Sequence, residues 1–135
     1  MHIHGFLKGT APYILLSVRA EKPKILRQIP FLIDTGSDIT GIALKDCLAM
    51  GISFHSLGRP VGSIRGIKEK ARRWEIHGEL RAITQETKVE RFGPMKLYIL
   101  ETSADCPSLL GRDFLEQFGF QLLYNIKKRA IFLEK

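Results

Sequence analysis

Cysteine is scarce in this sequence. Its 135 residues include two, Cys47 and Cys106, lying 59 positions apart and without the Cys-x-x-Cys spacing of a redox or zinc pair. A chain of this length builds a core without disulfides, so both are expected as free thiols in a reducing compartment such as the cytoplasm. Histidine is equally sparse: His2, His4, His55 and His77 are scattered and form no His-Glu-x-x-His array. No metal and no organic cofactor is therefore expected. Long apolar runs are missing too. Stretches such as Tyr13–Leu16 and Pro30–Ile33 fall far short of the roughly 20 residues that cross a bilayer, so no membrane partner is expected. The first residues show no basic stretch followed by an apolar core, and no secretory leader is expected. Acidic residues are the minority charge, 14 against 21 Lys plus Arg, for a net charge of +7. The basic residues fall in short groups, Lys68–Arg73 and Lys127–Arg129, broken by apolar positions. That is not the continuous basic stripe of a nucleic-acid module, and no nucleic acid is expected as partner.

What is present is ordinary globular composition, 44% apolar and 26% charged, in a length that fits one domain over residues 1–135. The pattern reads as mostly β. Tyr13–Val18 and Ile25–Ile33 form a predicted hairpin around a Pro23 turn, with Pro30 marking an edge or bulge. Ile39–Met50 reads as a short strand and a helical turn. Four glycines between Gly51 and Gly66 exclude a long helix there. From Trp74 to Ile83 the chain alternates, with Trp74, Ile76, Leu80 and Ala82 on one face and charged residues on the other, a strand with one wet side. Lys96–Leu100 is another strand. Phe114–Phe118 is a helical turn, with Phe114, Phe118 and Phe120 as core. Residues 120–135 close the chain as a hairpin.

The informative stretch is Phe31-Leu-Ile-Asp34-Thr35-Gly36-Ser37. An acidic residue directly after an apolar strand, followed by a hydroxyl and a glycine, is held rigidly where the strand ends. Taken alone, the four residues Asp34–Ser37 also suit a plain exposed turn. Two later blocks change that reading. Val61-Gly62-Ser63-Ile64-Arg65-Gly66-Ile67 begins a glycine-bearing loop, and Leu109-Leu110-Gly111-Arg112-Asp113 opens the second helical turn. Together, in this order, the three blocks resemble the retroviral-type, or retropepsin-like, single-domain aspartic peptidases, over most of the chain from about Tyr13 to Tyr124.

That resemblance implies an all-β acid-protease fold, closed and barrel-like with one short helix, assembled as a two-fold homodimer. It implies an aspartic endopeptidase acting on polypeptide substrates. Hydrolysis of an amide needs one group to activate water and another to donate a proton, and two adjacent carboxylates sharing a proton do both. Only one Asp-Thr-Gly block is present, so the second carboxylate would come from Asp34 of a second copy. By the same resemblance Asp34, Thr35 and Gly36 form the catalytic loop. Ser37, Asp38, Ile39, Gly62, Ser63, Ile64 and Leu110 would meet the substrate, Gly62–Gly66 as a covering flap. Gly111 and Arg112 would support the site, Arg112 by pairing with Asp38. The residues after Asn125 depart from the viral pattern and place the subunit interface mainly on C-terminal strands. The competing reading is a non-catalytic dimerisation or peptide-binding module that keeps the same fold.

Overall fold

The computed structural model describes residues 1–65 and 70–135. Its strands are β1 (His2–His4), β2 (Phe6–Lys8), β3 (Ala11–Ala20), β4 (Ile25–Ile33), β5 (Gly41–Ile42), β6 (Gly62–Arg65), β7 (Lys70–Ile83), β8 (Val89–Leu100), β9 (Ser108–Leu110), β10 (Gln121–Asn125) and β11 (Ala130–Glu134). Two short helices, α1 (Leu44–Ala49) and α2 (Arg112–Phe118), and a 3-10 turn at Phe54–Leu57 complete the described elements. None of these helices is long and apolar enough to cross a membrane.

Eight strands form one sheet in the order β2-β3-β4-β9-β5-β8-β7-β6, and β1-β11-β10 form a second. The expected closed barrel with a single helix is therefore corrected. The main sheet ends in two strands, β2 and β6, each with one neighbour. Pairing of β3 with β7 over Ser17–Ala20 and Gly78–Arg81 curls the sheet over its core without absorbing those ends. Alternation in a sequence fixes which face of a strand is buried; it does not fix closure, which depends on long-range strand lengths and stagger.

The core is the buried face of the curled sheet. Ile14, Leu16 and Val18 of β3 are fully buried with Phe31 of β4 and Leu97 and Ile99 of β8. The alternating strand behaves as its pattern demands: Trp74, Ile76, Leu80 and Ala82 are buried and Glu75 and His77 are exposed. The aromatic residues of α2 and Phe120 just after it pack on β8, Phe92 meeting Phe114 and Phe118 at 5.2 Å and Phe120 at 5.4 Å between ring centres. Pro30 occupies a stretch of β4 paired only with β3, since the parallel pairing with β9 starts at Phe31. A missing N–H there takes nothing from the pairing with β9.

Candidate active site

The site grows from the end of β4. Phe31, Leu32 and Ile33 pair in parallel with Ser108, Leu109 and Leu110, and the Asp34 amide extends the pairing by donating to the Leu110 carbonyl at 2.9 Å. Asp34 is thus held by two core strands before its side chain does anything. The chain then turns at once. The Ser37 amide donates to the Asp34 carbonyl at 3.1 Å, and the Gly36 amide donates to Asp34 Oδ1 at 2.9 Å. The second contact is an Asx-type turn, in which a side chain fixes its own backbone two residues on. A Cβ on Gly36 would stand 3.2 Å from the same oxygen, so a glycine keeps the carboxylate uncrowded. Thr35 is exposed beside it.

Ser37 closes the other side of the turn, its Oγ donating to the Ile39 carbonyl at 2.8 Å. Its own carbonyl accepts the Arg112 amide at 2.8 Å, which stitches the start of α2 to the loop. Gly111 makes that approach possible. A Cβ there would lie 2.3 Å from the Ile39 carbonyl oxygen and 2.9 Å from that of Ser37, closer than real atoms come. On the outer side, Arg112 Nη2 and Asp38 Oδ1 form an ion pair. Both side chains are half or more exposed, so the pair orients two charged groups more than it stabilises the fold.

One group in this network escaped the sequence reading. Thr40 is fully buried. Its Oγ1 donates to Asp113 Oδ1 at 2.7 Å and accepts the Gly111 amide at 3.0 Å, while its own amide donates to Asp113 Oδ2 at 3.1 Å. Asp113 Oδ1 also accepts the Phe114 amide at 2.8 Å. In the first turn of α2 the carboxylate satisfies one of the free helix amides as well. Ser108 and Asp46 form a second such link: Ser108 Oγ donates to Asp46 Oδ2 at 2.5 Å and accepts the Ala43 amide at 2.9 Å.

The substrate-facing candidates divide. Asp38 and Ile39 line a groove of about 480 Å³ with Met95, Lys96, Tyr98 and Gln117 among its other walls. Asp34 is not part of that groove. Leu110 is fully buried and backs the loop from within the core, so it does not line a pocket in this chain. Leu109, the next residue on the opposite face of β9, is half-buried. Gly62, Ser63 and Ile64 lie on β6 opposite Arg73, Arg72 and Ala71. Gly66 and Ile67, the remainder of that expected flap, lie outside the described residues.

The site thus presents a strand-end carboxylate held by a glycine amide, with a glycine-led helix packed under its loop. The family model described as retroviral aspartyl protease matches residues 10–123. The chain belongs to the retroviral aspartyl protease family. Among solved structures it is similar to a retropepsin-like aspartic protease from Rickettsia conorii, with 19% identity, a TM-score of 0.64 and 98% of each chain covered. It is also similar to EIAV protease complexed with the inhibitor HBY-793, with 14% identity, a TM-score of 0.54, and 85% of this chain and 94% of that one covered. At such identities these two likenesses concern the fold. No curated protein matches the sequence.

Proposed function

We propose that the protein is an aspartic endopeptidase whose residues 1–135 act as one peptidase domain in a homodimer, the Asp34 carboxylates of the two copies meeting across a two-fold axis. The observation that supports this best is the hold on Asp34: its amide bonded to Leu110, its Oδ1 bonded to the Gly36 amide, and one carboxylate oxygen left for chemistry. In the reaction, one carboxylate takes a proton from water while the protonated partner gives its proton to the scissile carbonyl oxygen. Collapse of the tetrahedral intermediate then breaks the C–N bond, and the amine leaves with a proton returned from the pair.

The remaining roles follow. The exposed Thr35 hydroxyl reaches the opposite loop and holds the two halves in register. Asp38, oriented by Arg112, accepts a backbone N–H of an extended substrate. Ile39 presents apolar surface to substrate side chains, so bonds between bulky apolar residues are favoured. Gly62, Ser63 and Ile64 cover the bound peptide and exclude water.

The test is Asp34→Asn. The variant keeps a folded dimer in sedimentation and loses cleavage of an apolar peptide library by at least about 1,000-fold, the scale on which removing an essential catalytic carboxylate acts. Cleavage by the variant at the wild-type rate overturns the assignment. Absence of turnover by a wild-type dimer points to the non-catalytic module instead.

A further inference from the structure

The groove that starts at Asp38 and Ile39 does not include Asp34, and its walls carry a charge pattern of their own. His77 of β7 and Lys96 of β8 are cross-strand partners, as are Glu75 and Tyr98, so the four stand together on the wet face of the sheet. His77, Lys96 and Tyr98 line the groove, with Asp113 of α2 across from them.

The acids and bases of this groove differ in what they have left to offer. Asp38 is paired with Arg112. Asp113 accepts the Thr40 hydroxyl, the Thr40 amide and the Phe114 amide. Both carboxylates are thus engaged. The carboxylate beside Lys96 and His77 is Glu75, which is not part of the groove lining. Lys96 Nζ lies 3.6 Å from Glu75 Oε1, and His77 Nε2 lies 3.9 Å from Oε2. Both separations exceed a hydrogen bond, so these two donors are open to a better-placed acceptor.

A third cation stands one step along the same face of β7. The Arg73 guanidinium lies over the Tyr98 ring, its Cζ 5.2 Å from the ring centre. Its Nε is buried without a hydrogen-bond partner among the described residues. Gly62 of β6 makes the room: a Cβ there would stand 3.3 Å from that Nε and 3.6 Å from Nη2. The next carboxylate along the chain from β8, Glu101, is taken by Arg72 through two hydrogen bonds.

We propose that this groove is a specificity subsite for an acidic side chain of the substrate. An Asp or Glu outlying the scissile bond places its carboxylate on Lys96, and Arg73 adds its charge across the Tyr98 ring. This rests on the reading of the protein as a peptidase and adds a charge preference to the apolar one at Ile39. A peptide whose backbone meets Asp38 lies at the mouth of the groove. The carboxylate therefore comes from a side chain near that point, not from the two residues that flank the cut bond. Glu75 is the resident competitor, which the incoming carboxylate displaces from Lys96.

The test compares peptides with one apolar core that differ by a single Glu or Gln, scanned outward from the scissile bond. At one position the wild-type protein is expected to cleave the Glu peptide with kcat/KM about 10-fold above its Gln twin, the scale of one charge-assisted hydrogen bond. The ratio shrinks in about 0.5 M salt. Lys96→Gln brings it near one, Arg73→Gln lowers it, and Glu75→Gln raises it. A general loss of packing does not move the ratio in both directions. Binding of the same peptides to the Asp34→Asn protein, read by fluorescence anisotropy, separates the subsite from the chemistry. A Glu preference in binding with no cleavage by the wild type overturns the peptidase reading and supports the subsite. Equal cleavage of the twins at every position, or a Glu preference that Lys96→Gln leaves intact, overturns the subsite and spares the peptidase. Neither cleavage nor binding of any peptide overturns both.

Discussion

Replacing Thr40 by valine tests the network beneath the catalytic loop with little change of volume. The side chain keeps its branched shape, so no cavity opens, and the effect isolates the hydroxyl. Two hydrogen bonds depend on that hydroxyl, the donation to Asp113 Oδ1 at 2.7 Å and the acceptance from the Gly111 amide at 3.0 Å. A hydrogen bond to a charged acceptor contributes about 1.5–3 kcal/mol, and a buried amide left without an acceptor costs about 1–3 kcal/mol. Burial of the extra methyl offsets about 1 kcal/mol. The net loss is about 3 kcal/mol, a large share of the roughly 5–15 kcal/mol by which domains are stable. Urea unfolding at fixed protein concentration reads it as a midpoint about 1.5–2 M lower with an unchanged slope. Thr40→Ser is the control. It keeps the hydroxyl, loses one methyl, and costs about 1 kcal/mol. A Thr40→Val chain within about 0.5 kcal/mol of wild type, or less harmed than Thr40→Ser, refutes the reasoning.

Gly111→Ala meets backbone rather than flexible side chains, with its Cβ 2.3 Å from the Ile39 carbonyl oxygen. The loop has to move, so a loss above about 3 kcal/mol or failure to fold is expected in the same assay; a loss under about 1 kcal/mol would show a looser loop than the one described. The two thiols should separate by reactivity. Cys47 is fully buried, and burial, aided by the adjacent Asp46 carboxylate, pushes its thiol up from 9.0 to about 12. A thiol reagent near neutral pH therefore titrates Cys106 in the folded protein and Cys47 only on unfolding; equal rates for both refute the burial. Linkage gives a sign as well. The raised value means that the unfolded chain ionises first, so stability is intact below pH 9.0 and is lost between there and about 12. The slope approaches about 1.4 kcal/mol per pH unit, and Cys47→Ala removes that contribution.

What the sequence displays about this fold depends on how far apart the cooperating residues lie. The turn at Asp34 is legible because its bonds span two or three residues and need a carboxylate, a glycine and a hydroxyl in fixed order. The strand from Trp74 is legible because alternation repeats over ten positions. Strands β1 and β2 escape because three residues each give alternation nothing to repeat. The first half of β8 escapes because Gly93-Pro94 reads as a break, whereas the structure absorbs it at the irregularity between the pairs Gly78–Met95 and Leu80–Phe92. Asp113 escapes for a different reason: an acid in the first turn of a helix needs no further partner to account for it, and its partner Thr40 stands 73 residues away. Contacts of that range leave no mark that one sequence can show.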